Sequence, residues 1–129
     1  MMAVLIQFKD GVDGVTLRLE NRISRIGRGA DNDIVINDEL VSKHHAVIEA
    51  RPRADGQPGY EYFLQDRDST NGCFVNDQRV DSTRLQKNDV IRLGVNHFRF
   101  VDDGSEDLAS TTKIQKTWIP GIYISRRKR

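Results

Sequence analysis

The chain has 129 residues, 37% of them hydrophobic and 30% charged, a composition typical of a folded protein that excludes both a membrane-embedded and a disordered chain. Its formal net charge of +1 excludes a general electrostatic attraction to nucleic acid or acidic lipid. The single cysteine, Cys73, excludes an internal disulfide and a multi-cysteine zinc site. A length of 129 residues fits one domain with a short extension.

Targeting signals are not evident in the sequence. No run approaches the roughly 18 apolar residues of a membrane-spanning helix, and residues 1–9 lack the basic start and the cleavage site of a secretory signal. A cytoplasmic location without membrane association is therefore expected by default.

In chain order, the first predicted elements are two β-rich runs at residues 4–8 and 15–19, separated by a glycine-containing loop. This pattern predicts an opening hairpin. Further short runs with strand character follow, whereas helix signals are nearly absent. These runs lie at residues 23–26, 34–36, 45–49, 60–65, 73–75, 90–93 and 97–101.

Many short strands separated by Gly, Asn and Asp predict an all-β fold, a two-sheet antiparallel β-sandwich of about eleven short strands. Residues 51–59 combine proline and glycine and are interpreted as an exposed hairpin loop. The alternation stops after residue 103. We therefore predict a sandwich domain over residues 1–103 and a C-terminal linker and tail over residues 104–129.

Four polar clusters stand at the predicted strand ends, each beside a glycine or a turn. A phosphate dianion requires a guanidinium fork, hydroxyl donors and backbone N–H groups that converge from several directions, and these clusters supply such groups. They are Gly27-Arg28, Ser42-Lys43-His44-His45, Ser69-Thr70-Asn71-Gly72 and Gly94-Val95-Asn96.

Three of these motifs, Ile26-Gly27-Arg28, Ser42-x-x-His45 and Asp66-x-x-Ser69-Thr70-Asn71-Gly72, have the order and approximate spacing of forkhead-associated (FHA) domains. The sequence resembles that family over residues 4–101. The combined pattern is highly specific, although no single cluster would be.

The resemblance implies a receptor for phosphothreonine peptides. In this reading Arg28 and Ser42 contact the phosphate, Lys43 and Thr70 add further donors, and Asn71 holds the peptide backbone. The family often has arginine or asparagine after the motif serine. The lysine in that place, Lys43, cannot form the same bidentate fork.

The resemblance also implies supporting roles. His45 is expected to brace the loops by hydrogen bonds, while Gly27 and Gly72 permit backbone geometry that a side chain would obstruct. Selection at the third residue after phosphothreonine is expected from two loops, with a mainly apolar preference. The residues of these loops are Leu40, Val41, Gly94, Val95 and Asn96.

Catalytic and metal sites are weaker interpretations of the same residues. Ser42 with His45 as its base lacks a carboxylate and an oxyanion-hole signature to complete a hydrolase, so we predict that the protein is not an enzyme. His44 and His45 should face opposite sides of an extended chain and are poorly arranged to share one metal. No metal and no cofactor are expected.

The tail contains two candidate phosphorylation sites, Thr111 and Thr112. Thr111 has an isoleucine at the third following position, although ordinary linker hydroxyls remain the simpler interpretation. The apolar segment 118–124 is expected to dock on the sandwich, on a second copy or on another protein. The basic residues 126–129 are interpreted as a solvated end rather than a nucleic-acid contact.

These observations favour an adaptor that binds a phosphothreonine-containing protein downstream of a Ser/Thr kinase. The alternative is a structural or assembly protein that makes its contacts through the apolar tail and the sandwich surface, with self-association through the tail, and carries a vestigial phosphate pocket. Binding to a phosphothreonine peptide library distinguishes the two hypotheses.

Overall fold

A computed structural model describes residues 3–102 and the backbone of residues 122–124. Residues 3–102 form eleven strands without a helix, and a twelfth short strand lies at residues 122–124. The predicted all-β fold is confirmed. The strands are β1 (Ala3–Lys9), β2 (Val12–Leu19), β3 (Ile23–Gly27), β4 (Ile34–Ile36), β5 (Ala46–Pro52), β6 (Tyr60–Asp66), β7 (Cys73–Val75), β8 (Gln78–Val80), β9 (Ser82–Arg84), β10 (Val90–Leu93), β11 (Asn96–Asp102) and β12 (Ile122–Ile124).

The strands form two six-stranded sheets. Sheet A has the order β2-β1-β11-β10-β7-β8, and sheet B has the order β12-β4-β3-β5-β6-β9. The β3–β4 pair is parallel, and the other pairs among the described strands are antiparallel. This arrangement is the predicted sandwich.

Alternating side chains from both sheets form the core between them. In β10 and β11, Ile91, Leu93, Phe98 and Phe100 are buried while their neighbours are partly exposed, as a strand with one face turned to the core requires. Leu5 and Leu17 meet them from the first hairpin. Within the described residues, no helix has the length and hydropathy needed to span a membrane.

Two of the eleven strands in residues 3–102 escaped the sequence prediction, as did β12 in the tail. β8 and β9 have three residues each and are largely polar and exposed, so neither has the hydrophobic alternation on which the prediction rested. β7 and β8 are joined by Asn76 and Asp77, both at positive φ, a backbone state that these two residue types adopt more readily than others. His45, predicted to begin a strand, lies one residue before β5.

The short strand β12 pairs antiparallel with β4 of the same chain, with Ile122 opposite Ile36 and Ile124 opposite Ile34. It therefore extends sheet B beyond β4. Residues 103–121 and 125–129 lie outside the described part of the chain, so the predicted boundary at residue 103 stays a prediction.

Candidate functional site

Four loops meet at one end of the sandwich, and they carry the four polar clusters predicted from the sequence. The backbone N–H of Arg28 donates to the carbonyl of Ser42 at 2.9 Å, and the N–H of Thr70 donates to Ser42 Oγ at 3.0 Å. The N–H of Val95 donates to Asp38 Oδ2 at 3.1 Å. These bonds join the β3–β4, β4–β5, β6–β7 and β10–β11 loops into one surface.

Arg28 directly follows β3 and is exposed. Its Nε donates to the carbonyl of Val41 at 3.0 Å, which fixes one edge of the guanidinium group. Its two terminal nitrogens donate no hydrogen bond to any acceptor within residues 3–102. A guanidinium anchored in this way presents a forked pair of donors to an anion.

The hydroxyl of Ser42 is half-buried and accepts the hydrogen bond from Thr70. Because its oxygen is already an acceptor, the hydroxyl proton is available to a second acceptor such as a phosphate oxygen. Thr70 and Lys43 are both exposed on the same surface. The structure thus brings Arg28, Ser42, Lys43 and Thr70 together.

Asn71 is exposed in the β6–β7 loop, and its Nδ2 donates to the carbonyl of Leu40 at 2.9 Å. This bond orients the amide, and its Oδ1, which has no donor in the described part of the chain, can accept a hydrogen bond from a peptide N–H group. It also ties the β6–β7 loop to the β4–β5 loop.

His45 is completely buried and connects two loops through its ring. The backbone N–H of Ser42 donates to Nδ1 at 3.0 Å, so Nδ1 carries no proton. Nε2 is then the protonated nitrogen and donates to the carbonyl of Gly72 at 2.8 Å. His45 acts as a brace, and because Nδ1 bonds the backbone rather than the hydroxyl of Ser42, the ring is not arranged as a base for that hydroxyl.

Gly27 and Asn32 hold the β3–β4 loop against the β4–β5 loop. A Cβ on Gly27 would collide with the carbonyl oxygen of Lys43. Asn32 is 1% exposed, and its Nδ2 donates to the carbonyls of Gly29 at 2.7 Å and Lys43 at 2.8 Å. The bracing role of Asn32 was not predicted from the sequence.

Gly72 lies close to the side chain of Arg79. Its φ is +88°, a backbone conformation that is strained for residues with a side chain. A Cβ at this position would also lie 2.7 Å from Arg79 Nε. Its N–H donates to Ser69 Oγ at 2.9 Å, and its carbonyl receives His45. The predicted reason for a glycine at this position therefore has a concrete geometric basis.

The two loops expected to select the peptide stand side by side. Leu40 is 46% exposed and Val95 is 64% exposed, which suits both for contact with an apolar residue. Asp38 joins the loops because its carboxylate accepts from the N–H of Leu40 at 2.9 Å, the N–H of Val95 at 3.1 Å and Nδ2 of Asn96 at 2.9 Å. The sequence prediction missed this role of Asp38.

The remaining residues of these loops have other surroundings. The side chain of Val41 is completely buried in the core, so it cannot contact a peptide, and the prediction that it selects the ligand is corrected to a structural role. Gly94 and Asn96 are partly exposed. Nδ2 of Asn96 is occupied by Asp38 and the carbonyl of Leu93.

Beneath the site, potential ligand atoms of His45, Asp66 and Cys73 all lie within 4.8 Å of one another. Both ring nitrogens of His45 already have backbone partners, and Oδ1 of Asp66 accepts from the N–H of Ser69 at 3.1 Å. Burial, followed by the charge of Asp66 and a hydrogen bond to it, raises the pKa of the Cys73 thiol to about 12. The cluster is therefore a satisfied structural network in which the thiol stays protonated.

Cys73 gives a test of this packing. Its pKa is higher in the folded than in the unfolded chain, so the unfolded chain loses the thiol proton first as the pH rises. We expect this contribution to stability to be complete below about pH 9 and to be lost as the pH rises towards 12. Urea midpoints of the native protein and of Cys73→Ala between pH 8 and pH 11 measure it. Equal decreases in both proteins would contradict the prediction.

The candidate phosphorylation sites Thr111 and Thr112 lie outside the described residues. They stay predictions, which phosphate mapping by mass spectrometry tests.

Comparison with known proteins places this geometry in a family. The family described as FHA domain matches residues 24–94, a range that includes Arg28, Ser42 and Asn71 and more than half of the chain. The chain belongs to the FHA domain family. The FHA match begins in β3, so the hairpin β1–β2 lies outside it.

Relatives and solved structures agree with this assignment. The chain is 44% identical over 78 residues to the ABC transporter ATP-binding/permease protein Rv1747 of Mycobacterium tuberculosis, covering 60% of this chain and 8% of that protein. The structure of M. tuberculosis EmbR in complex with a low-affinity phosphopeptide matches with a TM-score of 0.68 and 32% identity, over 81% of this chain and 25% of that chain. A structure from work on phosphothreonine-dependent FHA domain interactions matches with a TM-score of 0.66 and 31% identity, over 81% and 100% of the two chains.

Proposed function

We propose that this FHA domain is an adaptor that binds phosphothreonine peptides through Arg28 and Ser42. The observation that carries the proposal is the backbone bond between these two residues, N–H of Arg28 to the carbonyl of Ser42 at 2.9 Å. It holds a guanidinium whose terminal nitrogens have no acceptor among residues 3–102 beside a hydroxyl whose oxygen already accepts one hydrogen bond. Two donors of different geometry, fixed before the ligand arrives, suit a phosphate dianion.

The remaining contacts follow from the same surface. Lys43 and Thr70 are exposed beside the pair and would add a charge and a hydroxyl donor. Lys43 contributes as a point charge, because an ammonium cannot form the fork of a guanidinium. Asn71, oriented by its bond to the carbonyl of Leu40, would accept from the N–H of the peptide.

The relatives support this reading by what has been observed for them. A phosphopeptide is bound in the EmbR complex, and phosphothreonine-dependent interactions are the subject of the work on the similar FHA structure. The chain spans only 8% of the length of Rv1747.

A titration with three matched peptides, carrying phosphothreonine, phosphoserine or unmodified threonine, tests the function. We expect loss of the phosphate to reduce affinity by at least about 100-fold, since charged hydrogen bonds are lost. Phosphoserine should bind about 4-fold more weakly, because it lacks the methyl group of phosphothreonine and with it the free energy of burying that group. Isothermal titration calorimetry measures both ratios. Equal affinity for the phosphorylated and unmodified peptides would contradict the proposal.

In the cell, such an adaptor would bind its partner after a Ser/Thr kinase has added close to two negative charges and three acceptor oxygens to the threonine. The kinase, the partner and the cytoplasmic location remain predictions. The protein would act by binding, and any chemistry would belong to the proteins it brings together.

The assembly hypothesis makes a different use of sheet B. The edge of β4 is paired with β12 of the same chain, which occupies the hydrogen-bonding groups that a second copy would need there. A second copy that added a strand to this side of sheet B would have to pair with β12 instead of β4.

A further inference from the structure

The outer face of sheet B carries a groove of about 510 Å³, which we call the sheet B groove. Its floor crosses β3, β5 and β6, where Arg25, Val47 and Gln65 stand side by side in the strand register. Asp31 and His44 close one end of the groove, and they lie on two of the loops that form the phosphate site. None of the residues assigned to the phosphate lines the groove. It is therefore a second surface, next to the first.

The floor of the groove has apolar side chains on neighbouring strands. Ile23 begins β3 and is 48% exposed, and Val47 on β5 is partly exposed. In the strand register Ile23 lies opposite Glu49, and Val47 lies opposite Arg25, so apolar and charged side chains alternate across the two strands. Because burial of exposed aliphatic carbon stabilises a complex, the groove suits a ligand with an apolar side chain.

The two carboxylates that line the groove already have partners within the protein. Asp31 contacts Nε2 of His44 at 2.8 Å. Glu49 accepts from Nε of Arg51 at 3.1 Å and from its Nη2 at 3.0 Å. These pairs offset the negative charge of the lining, and the cations that line the groove decide its preference.

Arg25 and Arg67 line the groove and are both exposed. Their backbone N–H groups are fixed, since they donate to Asp33 Oδ2 at 2.9 Å and to the carbonyl of His45 at 2.9 Å. Their guanidinium groups donate no hydrogen bond to any acceptor within residues 3–102. Arg25 lies on β3 and Arg67 directly follows β6, so the two cations stand on opposite sides of β5. This arrangement is complementary to carboxylates on either side of an apolar side chain.

We propose that the sheet B groove binds an acidic, unphosphorylated protein segment, in which carboxylates pair with Arg25 and Arg67 and an apolar side chain covers Ile23. Such a segment has glutamate or aspartate on both sides of a residue such as leucine. Binding there uses no phosphate, so this inference does not rest on the proposed function. A protein with both surfaces holds a phosphorylated segment and an acidic segment side by side.

Three synthetic peptides without serine, threonine or phosphate test the groove. They share two leucines, and their other positions are all glutamate, all glutamine or all lysine. We expect the glutamate peptide to bind about five-fold more tightly than the glutamine peptide, as two exposed ion pairs allow, and the lysine peptide to bind most weakly. Titration of the isotope-labelled full chain by NMR measures the affinities. The shifted amides should be those of β3, β5 and β6.

Variants of exposed residues assign the effect to the groove. Arg25→Gln combined with Arg67→Gln should remove the preference for glutamate, whereas Arg18→Gln, the same change in sheet A, should retain it. Ile23→Thr should weaken binding of the glutamate peptide about three-fold, because it removes apolar surface from the contact. Val12→Thr is its control, since Val12 is 59% exposed on β2, and should change nothing. The NMR spectrum of each variant shows whether the fold is kept.

Three results would overturn the groove proposal. They are absence of binding of the glutamate peptide, equal affinity for glutamate and glutamine, and a glutamate preference that survives the double arginine variant. Shifts confined to the loops of Arg28 and Ser42 would overturn it too, because carboxylates would then only occupy the phosphate site. The phosphopeptide titration is a separate measurement, so either proposal can fail while the other stands.

Discussion

Arg28→Ala is expected to reduce phosphopeptide affinity by at least about 100-fold, because it removes the forked, charged donor that pairs with the phosphate dianion. The residue is exposed, and its one bond within residues 3–102 from the side chain goes to the carbonyl of Val41. The fold should therefore remain intact. Titration calorimetry gives the affinity, and the urea midpoint gives the stability.

Two further variants grade the result. Arg28→Lys keeps the charge but loses the fork, and should recover only part of the affinity. Ser42→Ala removes a neutral hydroxyl donor and should weaken binding less than Arg28→Ala does. A folded Arg28→Ala protein with native affinity would refute the assignment of the phosphate site.

His45→Leu should have the largest effect on stability among the residues of the site. The substitution removes both ring nitrogens, which leaves the N–H of Ser42 and the carbonyl of Gly72 without their partner at the centre of the loops. The carbonyl of Gly72 is then unsatisfied in a buried place and the N–H of Ser42 in a half-buried one, which costs at least about 1 to 3 kcal/mol in the free energy of unfolding. Phosphopeptide affinity should decrease as well, because the Ser42 and Gly72 loops lose the brace that joins them.

His44→Ala is the matched control, one residue earlier in the chain. His44 is exposed and contacts Asp31 at 2.8 Å, so its loss should change the free energy of unfolding by no more than about 1 kcal/mol. Equal destabilisation by the two substitutions, measured by urea denaturation, would show that His45 is not a special brace.

The polar groups of the site have two different roles. Exposed groups, such as the guanidinium of Arg28, are available to the ligand, while buried polar groups such as His45 and Asn32 hold the loops that carry them. Fixing the loops in advance removes part of the ordering cost of binding. Each buried bond therefore contributes to affinity although it does not contact the peptide.

The strands that sequence reasoning found were those with strong apolar alternation, such as β10 and β11. β8 and β9 were missed because their exposed, polar residues have no such period. Val41 was assigned to the ligand surface from its place in a loop, yet it is completely buried. Position along the chain does not reveal which side of a loop faces the core.

The sequence by itself determined the sandwich class and the motifs of the phosphate site, since alternation and short motifs are local properties of the chain. Only the tertiary structure identified Asp38 as the residue that joins two loops and Asn32 as the brace between the β3–β4 and β4–β5 loops. Asp38 and Val95 are 57 positions apart. Their contact depends on how the two sheets pack, and no short-range pattern encodes that distance.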